Sequence, residues 1–87
     1  MAAVYTVTIK ESALKALRKI PKLAALQVSG RINELSVNPR PVDCKKLKNA
    51  GNLYRVRSGN FRIVYEIFDG KLIVFVVKVG HRKDVYQ

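Results

Sequence analysis

Eighty-seven residues, 48% of them apolar, suffice for one compact core and not for two, so a single domain spanning residues 1–87 is expected. Seventeen Lys and Arg against six Asp and Glu leave a net charge of +11, more than so small a domain can hide, and the expected partner is a polyanion. The lone Cys44 excludes an intramolecular disulfide and a thiolate zinc site and suits a reducing cytoplasm, and no apolar run approaches the roughly 20 residues of a membrane span.

Residues 4–10, VYTVTIK, alternate Tyr5, Val7 and Ile9 against Thr6, Thr8 and Lys10, the pattern of a half-buried strand rather than of a signal peptide. Ser12 offers an N-cap hydroxyl to a first helix whose apolar stripe is Ala13, Leu14, Leu17 and Ile20. Pro21 suits the first turn of a second helix, striped by Leu23, Ala24, Val28, Ile32 and Leu35, and the two helices are expected to pack as a hairpin. Residues 38–52, NPRPVDCKKLKNAGN, read as a basic connecting loop with Leu47 as its inward anchor. Three strand-like runs follow, LYRVRS, FRIVYEIF and KLIVFVVKV, parted by the turn signals Ser58-Gly59-Asn60 and Asp69-Gly70. The sum is an α+β domain of order β-α-α-β-β-β, a two-helix hairpin on one face of a mostly antiparallel four-stranded sheet.

The second face is predicted to be free, and strand periodicity sorts its side chains. Arg55 and Arg57 point away from the helices, opposite Tyr54 and Val56, and Arg62, Val64 and Glu66 oppose Phe61, Ile63, Tyr65 and Ile67. Lys78 and then His81-Arg82 bring the polar residues together at one end of that face. Any one arginine on a strand is ordinarily the solvated side of a sheet, but four at convergent positions suggest a phosphate-binding surface, to which the loop lysines Lys45, Lys46 and Lys48 add charge. Glu66 is expected to pair with one of the arginines. His81, the one histidine, is the side chain best able to titrate near neutral pH.

The stretch LYRVRSGNFRIVYEIFDGKLIVFVVKVGHRKDVY resembles the C-terminal half of RelE and ParE superfamily toxins, through its YRVR strand, the turn into FRIVYEI and the closing KVGHRKDVY. The resemblance to the RelE branch implies a type II toxin, an endoribonuclease that cuts messenger RNA on the ribosome and inhibits translation. It implies no metal and no cofactor, because the RNA 2′-hydroxyl is itself the nucleophile and leaves a 2′,3′-cyclic phosphate. Arg62 and Arg82 match arginines that contact the scissile phosphate, and Tyr86 matches a tyrosine that stacks on or orients the RNA. Arg55 and Arg57 stand where the pattern has lysines and are better suited to clamping phosphate than to accepting a proton. His81 is the first candidate for proton transfer, with Glu66 on the same face and Tyr86 as a weaker option. The implied partners are messenger and ribosomal RNA and an acidic cognate antitoxin. The alternatives are a ParE-like toxin that poisons DNA gyrase and a non-catalytic RNA- or ribosome-binding module.

Overall fold

A computed structural model describes residues 4–48 and 51–81. In chain order it contains β1 (Thr6–Ile9), α1 (Glu11–Lys19), α2 (Lys22–Leu35), β2 (Lys45–Lys46), β3 (Leu53–Ser58), β4 (Phe61–Phe68), a 3-10 turn (Asp69–Lys71) and β5 (Ile73–His81). The strands form one sheet in the order β1-β5-β4-β3-β2, parallel only between β1 and β5. The α+β architecture is therefore the expected one, with five strands instead of four: Lys45 and Lys46, inside the predicted loop, pair antiparallel with Arg55 and Tyr54. A two-residue strand of lysines is a common way to end a sheet edge without inviting further pairing. Among the described residues no helix is long and apolar enough to cross a membrane.

The chain passes from β1 into α1 without a spare residue. The Lys10 amide donates to the Val76 carbonyl at 2.8 Å as the last β1 bond, and the Lys10 carbonyl accepts the first helical bond from Leu14 at 2.9 Å. Lys10 thus occupies the N-cap, and Ser12, the expected cap, lies inside the first turn with no capping bond. Glu11 in that turn and Arg18 and Lys19 in the last complement the helix dipole. Pro21 ends α1 through its predecessor: Ile20 is extended, as a residue before proline prefers to be. Pro21 itself stands at the N-cap of α2, one position before the expected one.

Both helices cover the same side of the sheet. Ala13 and Leu17 of α1 and Val28, Ile32 and Leu35 of α2 meet Val56, Ile63, Tyr65, Ile67, Val74, Val76 and Val79 in one core. Leu14 and Leu23, assigned to the stripes by spacing, are exposed. The helices touch each other sparingly, α1 lying chiefly on β5, so they are held by the sheet more than by a hairpin contact. The connecting loop is anchored by Pro39 and Cys44, not by Leu47: Pro39 is buried, its carbonyl accepts the Tyr65 hydroxyl at 2.7 Å, and Cys44 packs on the core. Arg40 fastens the same loop to the far end of the sheet. Its guanidinium donates to both Asp69 carboxylate oxygens at 3.1 and 2.8 Å and lies 5.2 Å from the Tyr54 ring centre, while the Tyr5 hydroxyl donates to Asp69 at 2.8 Å.

Two local features of the sheet decide what faces outward. Gly59, the first of two residues between Ser58 and Phe61, supplies the positive φ of 60° that a two-residue hairpin needs there and fixes the β3–β4 register. The β4–β5 ladder has a bulge: Val64 pairs with Lys78 and Tyr65 with Val76, so Val77 has no ladder partner. The extra residue inverts the alternation of β5. Val74, Val76 and Val79 all face the helices, and Lys78 turns outward.

Candidate active site

Register places the basic side chains in two rows across the helix-free face. Arg57 is directly opposite Arg62, whose other neighbour is Gly80; Arg55 is opposite Val64, whose other neighbour is Lys78. Lys45 joins the second row beside Arg55. With strands spaced at about 4.8 Å, Arg55 and Lys78 flank Val64 at a separation of roughly 10 Å. Two like charges facing each other in a ladder weaken a sheet, so the Arg57–Arg62 pair is a cost to folding and concentrates positive potential at one place. Gly80, on the other side of Arg62, brings no side chain to that row.

Arg62 is only 9% exposed and Val64 only 7%, so the outer face is not as open as periodicity suggests. Arg55 and Lys78 flank Val64 on the two neighbouring strands. A cavity of about 170 Å³ lies at this end of β3, lined by Asp43, Lys45, Arg55, Val56, Arg57 and Arg62. The opposite end of the face is apolar, a depression lined by Thr8, Phe68, Lys71, Ile73 and Phe75.

A residue of α2 holds two of the residues on the cavity wall, Asp43 and Arg57, from behind. Arg31 of α2 donates from Nε to the Arg57 carbonyl at 3.2 Å, from Nη1 to Glu34 at 3.2 Å and from Nη2 to the carboxylate of Asp43. Burial works against the Arg31 charge, but the hydrogen bonds to Asp43 and Glu34 outweigh it and raise the pKa. The same guanidinium, chiefly through its hydrogen bond, holds the Asp43 carboxyl below the usual carboxylate range. Neither Arg31 nor Asp43 was singled out from the sequence. A signal existed for Arg31: it lies three residues after Val28, four before Leu35 and next to Ile32, on the flank of the buried stripe of α2, where a guanidinium is placed to cross to the sheet.

Of the residues expected at the site, Arg55, Arg57, Arg62, Lys45 and Lys78 share one face. Lys46 pairs with Tyr54 and belongs to the helix side, and Lys48 is exposed beyond β2. His81 also departs from the expectation. It is opposite Phe61, with the two rings 5.7 Å apart and at 78°, and so faces the helix side and not the arginine side. The bulge at Val77 is the reason, since it reverses the parity of every later position in β5. Glu66 stands between Leu53 and Phe75 and takes part in no salt bridge among the described residues. Arg82 and Tyr86 lie outside the described residues.

What such a surface can do follows from its donors. Guanidinium groups from two adjacent strands, converging on a cavity and directed by a short hairpin, present paired N–H donors to the oxygens of a phosphodiester. They can align it and stabilise the charge that grows on it during transfer.

The family model for the ParE toxin of the type II toxin–antitoxin system, parDE, matches residues 7–86. The mRNA interferase toxin RelE of Escherichia coli is 33% identical to this chain over 87 residues, covering 95% of this chain and 90% of that protein. Among solved structures, the toxin of the archaeal RelE–RelB complex from Pyrococcus horikoshii superposes with a TM-score of 0.81 at 28% identity, covering 91% of this chain and 96% of that one. The intact E. coli RelBE toxin–antitoxin complex gives a TM-score of 0.76 at 32% identity, covering 88% of this chain and 95% of the matched one.

Proposed function

This chain belongs to the RelE/ParE superfamily of type II toxins, and we propose that it is an RelE-like messenger endoribonuclease that works on the ribosome, in the cytoplasm. The observation that carries the reading is the Arg57–Arg62 pair, two like charges opposed in one ladder and lining one cavity. Stability alone does not favour that pairing, and a phosphate seated between the two does.

In the reaction the 2′-oxygen attacks the adjacent phosphorus as the bond to the 5′-oxygen breaks, giving a 2′,3′-cyclic phosphate and a new 5′-hydroxyl. One proton leaves the 2′-hydroxyl and one reaches the departing oxygen. Arg62, the most buried of the cations, stabilises the charge on the non-bridging oxygens, and Arg57, Arg55, Lys45 and Lys78 hold the flanking backbone. Arg82 and Tyr86 are assigned phosphate contact and base stacking from their match to the KVGHRKDVY pattern. The ring of His81 faces the helix side, which argues against its serving the arginines in proton transfer. The chain is neutralised by an antitoxin, as the solved relatives in toxin–antitoxin complexes suggest.

The test is cleavage of messenger on purified ribosomes, with the 3′ ends of the products analysed for cyclic phosphate. The expected result is cleavage that Arg62→Ala abolishes. Gyrase-dependent DNA breakage without RNA cleavage would instead assign the chain to the ParE mode, and RNA binding without a product would make it a non-catalytic module.

A further inference from the structure

The cavity contains one carboxylate among its cations. Asp43 is on its wall with Lys45, Arg55, Arg57 and Arg62. A carboxylate there is a competitor: it offers the arginines the same pair of acceptor oxygens that a phosphodiester does. Yet Asp43 is turned to Arg31, and among the described residues neither Lys45 nor Arg57 takes part in a salt bridge. Arg31 is well placed for this. Its side chain is 21% exposed, and its three acceptors lie on three separate segments: α2 itself, the connecting loop, and the backbone of β3 at Arg57. The bond to the Arg57 carbonyl braces the strand at the residue whose side chain lines the cavity.

We propose that Arg31 is a positioning residue that sequesters the Asp43 carboxylate and so keeps Lys45 and Arg57 available to an RNA phosphate. The proposal rests on the RNA reading above but concerns binding, and it separates from cleavage. Without Arg31 the carboxylate swings to Lys45 or Arg57, which line the same cavity, and occupies a phosphate position.

The experiment measures binding of a 2′-O-methyl oligoribonucleotide, which cannot be cleaved, to the full chain and to Arg31→Ala, Asp43→Asn and the double variant. Arg31→Gln, alone and with Asp43→Asn, supplies the same comparison if alanine at 31 prevents folding, and thermal melts report folding in every case. The expected result is an affinity about tenfold weaker for Arg31→Ala, with the slope of log affinity against log salt reduced by about 0.7, one phosphate on a single strand. Removing the Asp43 charge in the same chain is expected to bring affinity back to within about twofold of wild type. Double variants as weak as the single Arg31 variants overturn the proposal, because a purely structural Arg31 gains nothing from the loss of Asp43. Wild-type chain that binds the oligonucleotide but cleaves no messenger removes the ribonuclease reading and leaves this one standing. Wild-type chain that does not bind it overturns this proposal and leaves the ribonuclease reading to the assay on ribosomes.

Discussion

His81 and Arg62 occupy neighbouring positions at the same end of the β4–β5 ladder and point to opposite sides of the sheet: Arg62 pairs with Gly80 on the cavity side, and His81 pairs with Phe61 on the helix side. Their opposite orientation divides two roles that adjacency in the ladder would merge. An acid–base group is worth about 10²- to 10⁴-fold in rate, and a charge-stabilising donor about 10²- to 10³-fold. Arg62→Ala is therefore expected to lower single-turnover cleavage by at least about 100-fold, and His81→Ala by less than about tenfold. A loss of 100-fold or more for His81→Ala would return the histidine to the chemistry.

Arg57 is assigned to holding the backbone, and its removal has a different signature. Arg57→Ala is expected to weaken RNA binding to a similar extent for every sequence and to reduce the salt slope by about 0.7. Titrations on several unrelated oligonucleotides at a series of salt concentrations measure both. A sequence-dependent loss would mean that Arg57 reads bases.

The Arg40–Asp69–Tyr5 cluster predicts an acid limb of stability. The Arg40 guanidinium, and then the Tyr5 hydroxyl, hold the Asp69 carboxyl at about 2 against an ordinary value of 3.8. A carboxyl whose pKa is depressed on folding contributes stability that is complete above the unfolded value and is lost as pH falls through the folded one. Wild-type protein should accordingly lose stability between about pH 4 and pH 2, and Asp69→Asn should be less stable at neutral pH with a flatter curve in that window. Denaturant midpoints from pH 2 to 7 check this, and parallel curves for the two proteins would contradict it.

Gly30 lies within α2, and a Cβ built on it meets nothing within 4 Å. Alanine there removes backbone entropy from the unfolded chain without crowding the folded one. Gly30→Ala should raise stability by about 0.5–1 kcal/mol, read from denaturant midpoints, and leave RNA cleavage unchanged.

How far the sequence disclosed this molecule depends on the range of the interaction concerned. Alternation within β3 and β4 is a local property, and it put Arg55, Arg57 and Arg62 on one face correctly because the hairpin at Gly59 keeps the two strands in phase. In β5 alternation gave no guide, because the run IVFVVKV is apolar on both sides and no glycine or proline marks the bulge at Val77, and nearness to Lys78 in sequence put His81 on the wrong face. The β2 strand is two residues long and exists only through its pairing with β3, so nothing in its own composition announces it. Ser12 has the chemistry of a cap, but the Lys10 amide was already committed to β1, and the helix began there. The Arg31–Asp43 contact joins residues on a helix and a loop, and only the folded chain brings them to one cavity.

The parallel pairing of Thr6 with Ile73 and of Ile9 with Val76 has a bearing on when this protein becomes dangerous to its host. A strand made first must wait for a partner made last, and the entropy of closing so long a loop is met only after β5 has been synthesised. Residues 4–10 therefore leave the ribosome with no β partner, and the face bearing Arg62 lacks the row of Lys78 and Gly80 until β5 has been made. The fold that would attack translation thus waits on the synthesis of its own last strand.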